Sequence, residues 1–225
     1  MEGLLRSPVL TVLWKDLVLE SRTKDFFVSV LVFAIIVIVV FNFAVDPTPQ
    51  TVGTVAPGIL WVAIVFGGVL GLTRSFALEK ERGAINGLLL APVGRDSIYF
   101  GKMLASFLFM FLVEAVTFPI FAVIFNIPLS APGFLPVAVL TTVGIAAVGT
   151  LFSAMAVNTK AREVMLPLLF LPVALPAIVA AVEATAPALA GGGWGAGTRW
   201  LPFLAGFDAL FIVVCAIAFA FVVED

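Results

Sequence analysis

The chain has no histidine and a single cysteine, Cys215, among 225 residues. Without histidine it supplies no imidazole metal ligand and no His–Ser catalytic pair. One cysteine makes neither an intrachain disulfide nor a CxxC redox pair. Set in an apolar run, Cys215 reads as a small packing residue. Charge is scarce too: Asp, Glu, Lys and Arg make up 12% of the residues, against about 25% in soluble domains. There is no basic arm and the net charge is −2, so nucleic acid is set aside as a partner. A nucleotide-binding P-loop is missing as well. Its nearest imitation, GRDSIYFGKM from Gly94, spaces its glycines by six residues instead of four and puts Met103 where the hydroxyl belongs. Any ATP hydrolysis therefore has to come from another subunit. The first long apolar run begins only after Arg6, Lys15, Asp16, Glu20, Arg22, Lys24 and Asp25. No small-residue cleavage pattern follows it closely, so no signal peptide is expected.

What is present is hydrocarbon. Hydrophobic residues make up 62% of the chain, more than a water-facing fold of this size can hide, so lipid is its solvent. Apolar runs at 26–44, 55–72, 103–127, 134–157, 164–182 and 201–223 each approach or exceed the roughly 20 residues that cross a bilayer. The predicted fold class is an all-α integral membrane protein of six transmembrane helices, a single domain over 1–225. Before the first run, 8–24 reads as an amphipathic helix at the membrane interface, with Leu10, Leu13, Trp14 and Leu17 on one face. Gly67 and Gly71 form a GxxxG pair suited to close helix contact. Pro167, Pro172 and Pro176 in the fifth run each remove a backbone donor and favour kinks. Residues 183–200 read as loop-like at the ends, with room for a re-entrant piece and with Trp194 and Trp200 suited to the interface.

With the N-terminus in the cytoplasm, eleven of the twelve Lys and Arg fall on the inner side, leaving Arg199 outside. That bias predicts cytoplasmic termini and a cytoplasmic connection between spans two and three. This connection, 74–102, is the one charged island: Arg74, Glu79, Lys80, Glu81, Arg82, Arg95, Asp96 and Lys102 surround the apolar Leu88-Leu89-Leu90-Ala91-Pro92. Residues 75–82 extend the second span into the cytoplasm, Gly83 can terminate it, and 84–91 can form a short helix presenting Ile85, Leu88 and Leu89. Pro92 and Gly94 stop that helix, and Asp96 or Ser97 can cap the next. A short apolar helix between turns and charges suits a hydrophobic groove on a soluble protein. The docking residues expected here are Glu79, Glu81, Arg82, Gly83, Ile85, Leu88, Leu89, Pro92 and Arg95. A solvated loop with incidental leucines is the plainer alternative.

Two acids lie within spans, Glu114 near the middle of the third and Asp208 a turn or two inside the outer end of the sixth. Intramembrane carboxyls are functional candidates by default. The bland alternative is an acid hydrogen-bonded to Thr117 or to a neighbouring helix for Glu114, and one that reaches water for Asp208. Glu183 stands at the outer end of the fifth span. Nothing in the sequence places two acids on one cavity as a hydrolase would need, and no nucleophile–base pair is recognisable, so an intramembrane enzyme is disfavoured.

The layout resembles the ABC-2-type exporter permeases: an elbow helix, six spans, and a coupling element between spans two and three. More narrowly, the chain resembles the CcmB-like haem-exporter permeases of cytochrome c maturation. The residues that carry this are Phe76, Glu79, Glu81-x-Gly83-Ala84, Leu88-Leu89-Leu90-Ala91-Pro92 and Gly101-Lys102, with Lys15-Asp16-Leu17, Glu20 and Arg22 near the start. The sharp part covers about 40 residues of a resemblance that spans most of the chain. The resemblance implies a membrane subunit that binds no cofactor itself. Its ATP would sit on a partner ATP-binding subunit (CcmA-like), with haem as the cargo candidate. Further partners implied are a haem-handling membrane subunit (CcmC-like), a small membrane subunit (CcmD-like), a periplasmic haem chaperone (CcmE-like) and a second permease copy, and the implied location of this chain is the bacterial inner membrane. Lacking histidine, the chain offers haem iron only Met or carboxylate ligands, so a tight iron site is not expected. The alternatives are a permease for lipid, polysaccharide or drug, and a scaffold that moves nothing.

Overall fold

The structure is a computed structural model that describes residues 7–22, 24–45, 48–81, 93–127, 134–156, 162–189 and 197–222; for 20–22, 24–26, 49–51, 74–81 and 162–164 it gives the helix path alone. Every regular element in those residues is helical. In chain order they are α1 (Pro8–Arg22), α2 (Lys24–Ala44), α3 (Pro49–Glu81), α4 (Arg95–Ile124), α5 (Phe134–Ala156), α6 (Arg162–Leu189), a 3-10 turn (Thr198–Trp200) and α7 (Leu201–Val222). Six of these helices, α2 to α7, are long and apolar enough to cross a membrane.

The spans divide into inner and outer helices. In α3 and α5, 72% of the span is buried, against 33% or less in the other four. The central helix α5 packs on α7, α6, α4 and α3, while α2 leans on α3 and α4 from the edge. Small side chains mark the interior. Ala63, Ala138, Ala146, Ala147, Ala177, Ala180 and Ala181 are buried, while Val62, Phe66, Leu168, Leu175 and Leu210 are exposed. Lipid is as apolar as leucine, so close packing between helices selects small residues, not greasy ones.

Glycines set three of the closest approaches. A Cβ on Gly67 would lie 2.9 Å from Val30 Cγ1 of α2, one on Gly68 would run into Met110 of α4, and one on Gly149 would run into Leu72 of α3. Of the expected Gly67–Gly71 pair, Gly67 makes a close approach to α2, while its neighbour Gly68 makes one to α4. An aromatic group packs where α5 starts: Phe118 and Phe134 stack at 3.9 Å between centroids, with Trp61 at 6.3 Å from Phe134. Trp61 Nε1 donates to Thr185 Oγ1 at 3.0 Å, and Thr185 donates to Ala181 O, tying α3 to α6.

Several boundaries differ from those the sequence pattern predicts. The fifth span does not end at Val182; α6 continues to Leu189, so 183–189 are helix. Its prolines, Pro167, Pro172, Pro176 and Pro187, lie within one continuous helix. They are half-buried or exposed, while Leu166, Phe170, Ala174 and Ala177 make the packed face. Proline rings on the lipid side leave the core ridge intact. The third span stops at Ile124 because Asn126 takes φ 54°, Asn126 N–H bonds Val123 O and Ile127 N–H bonds Ala122 O. This is a Schellman cap with asparagine in the left-handed position. The cap of α4's start is Gly94, without a side-chain hydrogen bond, so neither Asp96 nor Ser97 fills that role; Asp96 sits in the first turn, where a negative charge suits the helix dipole.

Candidate functional site

The charged island is entered and left by two helix ends. α3 carries the chain out as far as Glu81, which agrees with the expected extension of the second span, and α4 brings it back from Arg95. Of the expected docking residues, Glu79 and Glu81 lie on the last turns of α3. Arg82, Gly83, Ile85, Leu88, Leu89 and Pro92 lie outside the described residues. Arg95 opens α4, and its guanidinium donates to Ala220 O, 3.2 Å away, near the C-terminus of α7. A cation there satisfies a carbonyl that the helix cannot and suits the negative end of its dipole.

One turn further in, Tyr99 is fully buried. Its hydroxyl donates to Ala147 O of α5 at 3.1 Å, and its ring meets Phe219 of α7 at 5.4 Å. Next come Gly101 and Lys102, which meet α1. A Cβ on Gly101 would lie 2.6 Å from Val12 Cβ and 2.9 Å from Val9 O. Glycine is therefore what lets α1 lie with its backbone against α4. Lys102, only 4% exposed, points Nζ at Asp16 Oδ2 at 3.6 Å, while Lys15 Nζ reaches Asp16 Oδ1 at 2.6 Å. The Lys-Asp near the start of the chain and the Gly-Lys after the island are thus partners in space.

α1 meets α4 through residues beside the stripe of Leu10, Leu13, Trp14 and Leu17. Val9, Val12 and Asp16 face α4, while Trp14 is 59% exposed. Leu10, Leu13 and Leu17 are half-buried.

At mid-membrane, Glu114 is 1% exposed and accepts a hydrogen bond from Thr142 of α5. The acid thus finds its partner on a neighbouring helix, and not in Thr117. Asp208 does not reach water: it is 5% exposed, with Oδ1 pressed over Gly144 of α5, where a Cβ would lie only 2.5 Å away. Thr142 and Gly144 are two residues apart, about 200° around the helix. The two carboxyls therefore meet opposite sides of α5, unlike the facing acids of a paired-carboxylate enzyme. Glu183 is exposed on α6. Among the described residues no group of three or more Cys, Asp and Glu is placed to hold a metal.

Tyr99 and Thr142 are not among the residues that the charge and motif pattern singles out, yet both carry a signal. Tyr99 is the only tyrosine in the chain, and Thr141-Thr142 is a polar pair in an apolar span. A polar tip inside hydrocarbon needs a partner, so each marks a helix–helix bond.

Taken together, six apolar helices with α5 at their centre, and one end of the bundle clamped at the base of α4, define a polytopic all-α integral membrane protein. The chain belongs to the CcmB protein family, whose sequence model matches residues 7–225. It is 32% identical over 170 residues to "Heme exporter protein B" of Rhodobacter capsulatus, covering 75% of this chain and 78% of that one. It is also 32% identical to "Heme exporter protein B" of Paracoccus denitrificans over 178 residues, 79% and 82% of the two chains. The protein of the same name in Bradyrhizobium diazoefficiens is 25% identical over 187 residues, 83% of this chain and 79% of that one.

Proposed function

We propose that this chain is the membrane permease subunit of a haem-export apparatus serving cytochrome c maturation. A partner ATPase grips the island 74–102 from the cytoplasm, and its nucleotide cycle drives release of haem-loaded chaperone on the far side of the inner membrane. Membership of the CcmB family and the names of its relatives support the haem branch. The observation that carries the coupling reading is α4. It runs unbroken from Arg95 within the island to Ile124, and its first turns bond α7 through Arg95, α5 through Tyr99 and α1 through Lys102. A push on the island is thereby delivered to four helices at once.

The test is co-expression with the ATPase subunit and the periplasmic chaperone. Leu88→Ala, Leu89→Ala and Glu81→Ala are expected to lower ATPase co-purification and the ATPase rate of the complex. Unchanged values in all three would refute docking at the island. A hydrolysis-dead ATPase is expected to stop chaperone turnover; normal cytochrome c assembly with that partner would make the subunit a scaffold.

A further inference from the structure

The seam between α4 and α5 contains polar atoms that the helices themselves leave unmatched. Glu114 Oε1 is used by Thr142, but Glu114 Oε2 is buried with no hydrogen-bond partner, and so is Thr117 Oγ1. Both residues belong to α4, three positions apart, which puts them on one face with Cβ atoms about 5–6 Å apart. Both are buried, Glu114 at 1% and Thr117 at 0% exposure. An unsatisfied carboxyl oxygen in hydrocarbon is expensive, and a buried hydroxyl beside it without a bond compounds the cost.

We propose that this seam is a binding site for one ordered water molecule, held between Glu114 Oε2 and Thr117 Oγ1. A water bonds its partners at about 2.8 Å, so one molecule spans about 4.5–5.5 Å, close to the spacing of side chains three positions apart on a helix. It donates one hydrogen to Glu114 Oε2 and makes its second bond to Thr117 Oγ1. Two partners lie within the range of two to four that buried waters make. The competing arrangement is dry: Thr117 turns its hydroxyl back to a carbonyl of its own helix, and Glu114 Oε2 stays bare. The water site gives the middle of the bundle a hydrogen bond on the α4 side that exchanges with solvent.

The experiment is infrared spectroscopy of the full chain in lipid, in ordinary water and in water-18O, for wild type, Thr117→Val and Thr117→Ser. The Glu114 carboxyl bands are assigned as those lost in Glu114→Gln. The expected result is an O–H stretching band that shifts in water-18O, lost in Thr117→Val and kept in Thr117→Ser, with the Glu114 bands displaced only in the valine variant. If no 18O-sensitive band separates wild type from Thr117→Val, the site is dry and the proposal falls. Displaced Glu114 bands without an 18O-sensitive band would mean a direct Thr117–Glu114 bond, which also overturns it. Equal displacement in the valine and serine variants would make the effect one of packing, and the water site would fall with it.

Discussion

For single residues, the strongest constraints are places where a side chain is absent. Gly144 is one. A methyl there would meet Asp208 Oδ1 and come within 3.1 Å of the Phe207 ring, both on α7. Gly144→Ala is expected to push α7 off α5 and to cost about 1–3 kcal/mol, the usual range for overpacking. Denaturant titration in detergent micelles measures it. Asp208→Ala in the same chain should recover part of the loss, because Asp208 is the nearer of the two obstacles. Gly101→Ala acts likewise on α1, and there shortening Val12 to alanine is not enough. It removes Val12 Cγ1 at 2.8 Å but keeps Val12 Cβ at 2.6 Å and Val9 O at 2.9 Å. Gly101→Ala is expected to detach α1, seen as a change in fluorescence of Trp14. Little of this can be read from composition. Glycine is common in membrane helices, and only the crossing of two backbones tells a spacer from a filler. Glu114 and Asp208 are conspicuous as acids in apolar spans, yet their opposite placement on α5 depends on helix phase, and their shared burial on packing.

Among elements, the helices themselves are the most legible feature, because hydropathy and length report membrane crossing directly. Their ends and their inward faces are not. α6 tolerates four prolines because they avoid its packed ridge, a fact invisible until the neighbours are in place. The Leu10–Trp14 stripe of α1 predicts a face for the membrane interface but says nothing of the protein contact, which goes to Val12 and Asp16. Two predictions belong to these junctions. The Asp16–Lys102 pair is nearly shielded from water, so Asp16→Asn and Lys102→Met are each expected to destabilise the α1–α4 contact. Their combination should cost less than the sum, with a coupling of about 0.5–3 kcal/mol in a double-mutant cycle. A coupling near zero would leave Gly101 alone as the lock. Arg95→Gln removes a charged donor from Ala220 O. Hydrogen bonds of that kind contribute about 1.5–3 kcal/mol, so amide exchange in the last turn of α7 should accelerate about tenfold or more, while exchange in α5 stays unchanged.

For the whole molecule, the decisive quantity is which side the island faces. Eleven of twelve cations gather on one side of the six-span arrangement, and such a bias orients membrane proteins with that side in the cytoplasm. The observed helices keep this alternation: α3 ends, and α4 begins, at the same end of the bundle where α1 docks and α7 finishes. Two positions report the two sides. Gly94 precedes α4 with open space where its side chain would be, and Arg199 is exposed in the 3-10 turn before α7. In a chain carrying Cys215→Ala, a cysteine at Gly94 should react with a membrane-impermeant thiol reagent only from the cytoplasmic side. A cysteine at Arg199 should react only from the opposite side, and because the substitution removes the single outer cation, orientation is expected to hold. The reverse pattern would put the island on the side that has no ATP and would end the coupling mechanism. Labelling of both positions from one side would mean an even number of crossings between them, in place of the three made by α4, α5 and α6.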